Sequence, residues 1–71
     1  MTSQRRPAEI QSALTRHGWV WVRTAGSHRI FKHASNPLLV TLPWHQARPV
    51  KHGILRQILK VAGVTEAEFF G

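Results

Sequence analysis

The tripeptide Gly26-Ser27-His28 places a histidine beside a flexible turn, between two short runs of strand-forming residues. An imidazole can take up or release a proton near neutral pH. Gly26 permits a close backbone approach and Ser27 adds a hydroxyl and an amide, so a phosphate could bind at this turn. The tripeptide alone leaves three roles open for His28: proton transfer, binding, or a polar residue in a turn.

Basic residues surround this histidine, since Arg29 and Lys32 follow it within four positions. RNA carries its own nucleophile, the 2′-hydroxyl, so its cleavage needs only a base, an acid and positive charge near the phosphate. Acid–base catalysis of this kind contributes about 10²–10⁴-fold, and cations that stabilise the crowded phosphate add to it. The residues therefore allow a catalytic His28. They do not rank its partner in proton transfer, for which His33, His45 or water remain open.

The overall charge indicates a polyanionic partner. The chain has 71 residues, with ten Lys and Arg against three Glu, and a net charge of +7. The basic residues are spread over the whole chain rather than gathered in a tail. Nucleic acid is the first partner to expect from such a field, and an acidic protein surface is the second.

The acids and histidines argue against a metal mechanism. Glu9 is far in sequence from Glu66 and Glu68, so the three glutamates are not expected to form the carboxylate cluster of a magnesium-dependent nuclease. The five histidines match no compact zinc spacing and the chain has no cysteine. We therefore expect no metal and no cofactor.

The composition also bounds the size and location of the protein. We expect a single domain over residues 1–71, with residues 1–6 frayed, because a chain this short supports one small core. No segment approaches the roughly 18 apolar residues of a membrane span, and the N-terminus lacks the apolar region of a secretory signal. With no cysteine to form disulfides, these features favour a cytoplasmic location.

Hydrophobic periodicity predicts a helix, three antiparallel strands and a second helix. The helices have one apolar stripe each, so both should cover the same face of the sheet and leave the other face open. Trp19 and Trp21 alternate with Val20 and Val22, so their assignment to the two faces stays undecided. The predicted ranges are 7–17 for the first helix, 19–24, 28–33 and 38–43 for the strands, about 54–62 for the second helix, and a last helical turn from Thr65.

The chain resembles the HicA toxins of bacterial HicAB toxin–antitoxin systems from about Ile10 to Phe69. The similarity lies in Gly18-Trp19, Val22-Arg23, Gly26-Ser27-His28, Phe31-Lys32-His33, Val40-Thr41 and the stretch GILRQILKVAGVTEAEF at 53–69. The resemblance implies an α+β fold like that of double-stranded-RNA-binding domains, with order α-β-β-β-α. This chain departs from the family pattern at residue 54, where it has Ile and the family commonly has Thr. The difference predicts the loss of a helix-capping hydroxyl.

The resemblance also implies a function. It implies a ribosome-independent mRNA interferase in which His28 is essential, and a HicB-type antitoxin that covers the site. DNA contact is then expected only indirectly, through the antitoxin complex. Within this interpretation Gly26 and Ser27 seat the phosphate, while Arg23, Arg29 and Lys32 hold the RNA backbone.

Two other classes of protein remain as alternatives to the nuclease. A double-stranded-RNA-binding module would read duplex shape without cleavage. A small interaction protein would use its positive charge only for an acidic partner.

Overall fold

A computed structural model describes residues 5–45 and 48–71 and confirms the predicted order of elements. The elements are α1 (Pro7–Arg16), β1 (Trp19–Ala25), β2 (His28–His33), β3 (Asn36–Pro43), α2 (His52–Ala62) and α3 (Glu66–Phe70). This is the α-β-β-β-α arrangement of double-stranded-RNA-binding domains, extended by the short α3. No helix in the described part of the chain has both the length and the apolar character needed to cross a membrane.

The sheet is an antiparallel meander in the order β1-β2-β3. β1 contains an irregularity: Trp21 pairs with Phe31, but Arg23 pairs with Ile30, so Val22 is a bulged residue. A bulge shifts the alternation of the residues that follow it by one position. Arg23 therefore shares a face with Ile30, whereas regular alternation from Trp21 would have put it on the opposite face.

All three helices pack on one face of this sheet. Their buried residues join those of the strands in a single core, and the prediction of one covered face is confirmed. The core consists of Ile10, Ala13 and Leu14 from α1, Trp19, Phe31, Val40 and Leu42 from the strands, Val50, Leu55 and Ile58 from α2 and the loop before it, and Phe69 from α3.

The opposite face carries no helix, and we call it the open face. From the strand pairing it contains Val20, Arg23, His28, Ile30, Lys32 and Thr41. The tryptophans lie on the helix side: Trp19 is buried, and Trp21 is partly covered at the sheet edge. The open face of β1 therefore presents exposed valines rather than the pair of aromatic rings that the sequence left possible.

Local signals in the sequence set the helix ends. Pro7 begins α1, and the Glu9 carboxylate accepts a hydrogen bond from the Arg6 backbone N–H at 3.3 Å. Gly63 ends α2 with φ 73°. Thr65 caps α3, because its side chain accepts from the Glu68 N–H at 3.1 Å while Glu68 accepts from the Thr65 N–H at 2.8 Å. The predicted last helical turn from Thr65 is confirmed, and a capping box begins it.

One expectation needs correction. The N-cap of α2 is Lys51, so Ile54 lies at the third helical position and not at the cap, and a hydroxyl at residue 54 would not serve as an N-cap. Of the segment expected to fray, Arg5 is held by Glu9 and by Val50, whose N–H donates to the Arg5 carbonyl at 2.7 Å. Residues 1–4 of that segment lie outside the described part.

Candidate active site

His28 is the first residue of β2 and lies at the end of the sheet where the first hairpin turns. It pairs with Ala25 of β1 and with Pro43, the last residue of β3. Its side chain is exposed. A substrate can therefore reach the imidazole, while the pairing on both sides keeps its backbone in place.

Gly26 and Ser27 form the two-residue loop of this hairpin. Gly26 has φ 60°, and no non-glycine residue in the described chain has a positive φ. Positive φ at the first loop position alone is the pattern of a type II′ turn, which favours glycine there. A Cβ on Gly26 would meet no atom within 4 Å. The space beside the turn is therefore open to a ligand.

The loop between β3 and α2 is fastened against the same turn. The Trp44 N–H donates to the Ser27 carbonyl at 2.7 Å, and the Arg48 N–H donates to the His45 carbonyl at 2.9 Å. At its far end the loop is held by the hydrogen bond from Val50 to Arg5. These bonds fix the described parts of the loop next to the start of β2, where His28 lies.

This arrangement forms a cavity of about 340 Å³ between the hairpin turn and the start of α2. Its polar and charged lining comes from His28, His45, Arg48 and Lys51, and its apolar lining from Pro7, Pro43, Pro49, Val50 and Ile54. None of the described residues that line it is acidic. The cavity thus combines two imidazoles with two permanent cations, which suits a bound phosphate.

A larger cleft of about 680 Å³ lies at the other end of β2, beside the turn to β3. Val20, Val22, Lys32 and His33 are among its lining residues. We favour the smaller cavity as the reactive site, because the only imidazole lining the larger cleft is His33, whose two ring nitrogens both have partners in the fold.

Arg29 is adjacent to His28 but faces the helix side of the sheet. Its guanidinium lies between the rings of Trp21 and Trp44, at 3.9 and 3.5 Å from their centroids. It also donates a hydrogen bond to Gln11 of α1 at 2.8 Å. The structure therefore places Arg29 in a packed contact away from the open face, and it holds the tryptophan that precedes His45.

Arg23 and Lys32 are both exposed on the open face, which His28 shares. The bulge at Val22 is what brings Arg23 to this face. Of the basic residues predicted to hold RNA, the structure thus groups these two with the histidine and separates Arg29 from them.

Three of the other four histidines lie outside the His28 cavity. The His33 ring accepts from the Ser35 N–H through Nδ1 at 2.9 Å, which leaves Nε2 to donate to the His17 carbonyl at 2.9 Å. The His17 ring stacks on Phe69 and its Nε2 lies 3.2 Å from the carbonyls of Glu68 and Phe69. His52 is the exposed first residue of α2 and is not among the residues lining the His28 cavity.

The acidic residues lie elsewhere. Glu9 pairs with Arg5 at 3.2 Å. Glu68 belongs to the capping box of α3, where hydrogen bonds with the Thr65 backbone and side chain, and then the charge of His17, lower the pKa of its carboxyl. In the ranges 5–45 and 48–71, no three His, Asp or Glu side chains form a group that could hold a metal ion.

The sequence interpretation missed Arg48 and Lys51 as members of the site. Both belong to an irregular loop, twenty or more positions after His28, and no local pattern links them to it. The available signal was the concentration of basic and imidazole side chains in one loop directly after a strand.

A comparison with protein families places this geometry in context. Residues 7–64 match the family described as the HicA toxin of bacterial toxin–antitoxin systems. No curated protein matches the chain. The matched range covers all three strands, α1, α2 and the whole cavity around His28.

Proposed function

Because the chain belongs to the HicA toxin family of bacterial toxin–antitoxin systems, we propose that it acts as an endoribonuclease that cleaves mRNA without a ribosome or a metal ion. The observation that carries this proposal is the exposed His28 beside a cavity that also contains Arg48 and Lys51. The cytoplasm, where mRNA is found, is the proposed place of action.

The proposed reaction is attack by the RNA on its own backbone. His28 acts as general base on the 2′-hydroxyl or as general acid on the 5′-oxygen that leaves. None of the three glutamates lines the His28 cavity. Glu9 and Glu68 are engaged in an ion pair and a helix cap at other places, and Glu66 lies on α3. Proton transfer at the phosphate therefore falls to an imidazole, which suits neutral pH.

Positive charge in two places supports RNA binding. Arg48 and Lys51 line the cavity, and the Gly26-Ser27 turn just before His28 leaves room for a phosphate. Arg23 and Lys32 extend the basic surface along the open face. A single strand whose reacting phosphate lies beside His28 would have further phosphates within the field of these cations.

Family membership implies an antitoxin partner, and we propose one of the HicB type. The open face offers it a surface, because Val20 and Val22 are 61% and 49% exposed beside Arg23 and Lys32. A partner with acidic and apolar groups would cover this face together with His28. We therefore propose that inhibition is steric.

The direct test is cleavage of single-stranded RNA in the presence of EDTA. We expect His28→Ala to lower the cleavage rate by about 10²–10⁴-fold. The fold should be kept because the side chain is exposed, and RNA and antitoxin binding should be largely kept because the basic residues around the site are unchanged. His52→Ala is the matched control, since it removes an exposed histidine that does not line the cavity, and it should cleave like wild type.

The same experiment separates the nuclease from a binding module with this fold. Wild-type protein that binds RNA but leaves it intact at neutral pH would refute the nuclease and favour the module. Salt dependence of RNA binding cannot make this distinction, because phosphate contacts weaken with salt in either case.

A further inference from the structure

We infer that His45 is the second proton-transfer group of the site, paired with His28, and that Arg48 and Lys51 bind the phosphate between them. This inference rests on the proposed function and names residues that complete it. His28 and His45 line one cavity of about 340 Å³, which is within the size range of small-ligand pockets. Cleavage by the 2′-hydroxyl needs one base and one acid, on opposite sides of the phosphorus, and the cavity supplies two imidazoles.

The other histidines do not compete for this role. His33 has both ring nitrogens hydrogen-bonded within the fold, to Ser35 and to the His17 carbonyl. His17 is stacked on Phe69 at the opposite end of α1 from Pro7, which lines the cavity. All five histidines of the sequence are described, and His45 alone shares the cavity with His28.

The position of His45 is built into the fold. Its predecessor Trp44 donates from its backbone to the Ser27 carbonyl at 2.7 Å, beside His28. The ring of Trp44 lies 3.5 Å from the guanidinium carbon of Arg29. The Arg48 N–H donates back to the His45 carbonyl at 2.9 Å, and this bond joins two of the residues that line the cavity.

The atoms balance in this scheme without another reactant. The neutral imidazole of the pair takes the proton of the 2′-hydroxyl, and the 2′-oxygen bonds to phosphorus. The bond from phosphorus to the 5′-oxygen breaks, and the protonated imidazole gives its proton to that oxygen. The products are a 2′,3′-cyclic phosphate and a 5′-hydroxyl, and the two histidines exchange their protonation states. Exchange of protons with water restores the pair.

Arg48 and Lys51 have a role that differs from the proton transfer of the two histidines. Negative charge on the non-bridging phosphate oxygens grows as the 2′-oxygen attacks, and Arg48 and Lys51 are placed to stabilise it.

A substrate with a better leaving group tests the pair. One linkage that the wild-type protein cuts is first identified in a short single-stranded RNA, and the same RNA is then made with sulfur in place of the 5′-oxygen at that linkage. Sulfur leaves without protonation, so the loss of the general acid no longer slows the reaction. Cleavage of both substrates is measured for wild type, His28→Ala, His45→Ala and the control His52→Ala.

We expect His45→Ala and His28→Ala each to cleave the oxygen substrate about 10²–10⁴-fold more slowly than wild type. On the sulfur substrate, one of the two variants should recover to within about 10-fold of wild type and the other should not, and this assigns acid and base. A merely structural residue would also lower both rates, and the pH–rate profile on the sulfur substrate separates it from the general base. Loss of the base removes the rise in rate with pH that wild type shows, whereas structural damage keeps it.

Two results would overturn the inference: a His45→Ala rate within about 10-fold of wild type on the oxygen substrate, or no recovery by either variant on the sulfur substrate. If the wild-type protein cuts no linkage in any single-stranded RNA offered to it, this result would instead refute the proposed nuclease itself. Arg48→Met and Lys51→Met should each lower kcat/KM by about 10²-fold on both substrates, and unchanged values would remove these residues from the site.

Discussion

Arg29 offers a direct test of which basic residues of the sheet stabilise the fold and which bind RNA. The sequence predicts an RNA contact for Arg29, whereas the structure packs its guanidinium between Trp21 and Trp44 and against Gln11. The substitution Arg29→Met removes the charge and keeps an unbranched stem of similar length. Lys32→Met makes the same kind of change three positions later, on the open face.

The contacts set the expected magnitude. Each cation–π contact contributes about 0.5–1 kcal/mol at a partly exposed site, and a hydrogen bond from a charged donor contributes about 1.5–3 kcal/mol. Because the methionine stem keeps part of the packing against the rings, we expect Arg29→Met to lower the free energy of unfolding by about 2–4 kcal/mol. For a domain of this length the melting temperature should fall by about 10–25 °C. The loss is severe, since the total stability expected is about 4–11 kcal/mol.

Two assays distinguish the roles. Urea unfolding measures stability, and the slope of log affinity against log salt measures phosphate contacts in RNA binding. Lys32→Met should leave stability within about 0.5 kcal/mol of wild type and reduce the salt slope by about 0.7, the value for one phosphate contact to a single strand. Arg29→Met should show the reverse, with lower stability and an unchanged slope at a temperature where it remains folded.

The refuting result is specific. If Arg29→Met unfolds at the same urea concentration as wild type and loses about 0.7 of the salt slope, then Arg29 contacts RNA and the packed arrangement does not contribute to stability. Arg29 would then not position Trp44, and through it His45.

Two further predictions concern stability. Gly18→Ala should lower the free energy of unfolding by about 2–4 kcal/mol, because φ at Gly18 is 88° and a Cβ would lie 2.9 Å from His33 Nε2. Gly63→Ala is the comparison, since φ there is 73° and a Cβ would meet no atom within 4 Å. It should lower the free energy of unfolding by only about 1 kcal/mol. Urea unfolding checks both, and equal losses would contradict a role for the His33 contact. The lowered pKa of Glu68 means that its charged form stabilises the fold above the ordinary Glu pKa of about 4.3, and that this contribution disappears as pH falls through the lower folded pKa. The stability difference between wild type and Glu68→Gln should therefore be constant near neutral pH and shrink in acid, and a difference independent of pH down to about pH 2 would contradict the hydrogen bonds from Thr65.

The elements of this protein are strongly determined by local signals. Pro7 begins α1 because its missing N–H is not needed there, and Gly63 ends α2 because glycine adopts a positive φ without strain. Thr65 and Glu68 cap α3 through hydrogen bonds between residues three positions apart. Such interactions involve neighbouring residues only, so the spacing of residue types predicts them. The placement of His28 at the start of β2 follows from the same kind of signal, the glycine turn before it.

Local signals do not decide which residues of β1 face the core and which face the open side of the sheet. Trp19 and Trp21 alternate with Val20 and Val22, so either set suits the core by composition. Packing against the helices buries Trp19, and the bulge at Val22 then moves Arg23 to the open face. A bulge depends on how β1 pairs with β2, and the residue types of β1 alone do not predict it.

The sequence by itself determined the order of the elements, the basic character of the surface and the identity of the turn histidine, because these follow from composition and from contacts between near neighbours. Only the tertiary structure decided which side chains surround His28. Arg29, its immediate neighbour, faces the opposite side of the sheet, since successive strand residues alternate. His45 and Lys51 reach the cavity because backbone hydrogen bonds from Trp44 to Ser27 and from Val50 to Arg5 fasten the loop. Those bonds join residues far apart in the chain, and the spacing of residue types does not encode such pairings.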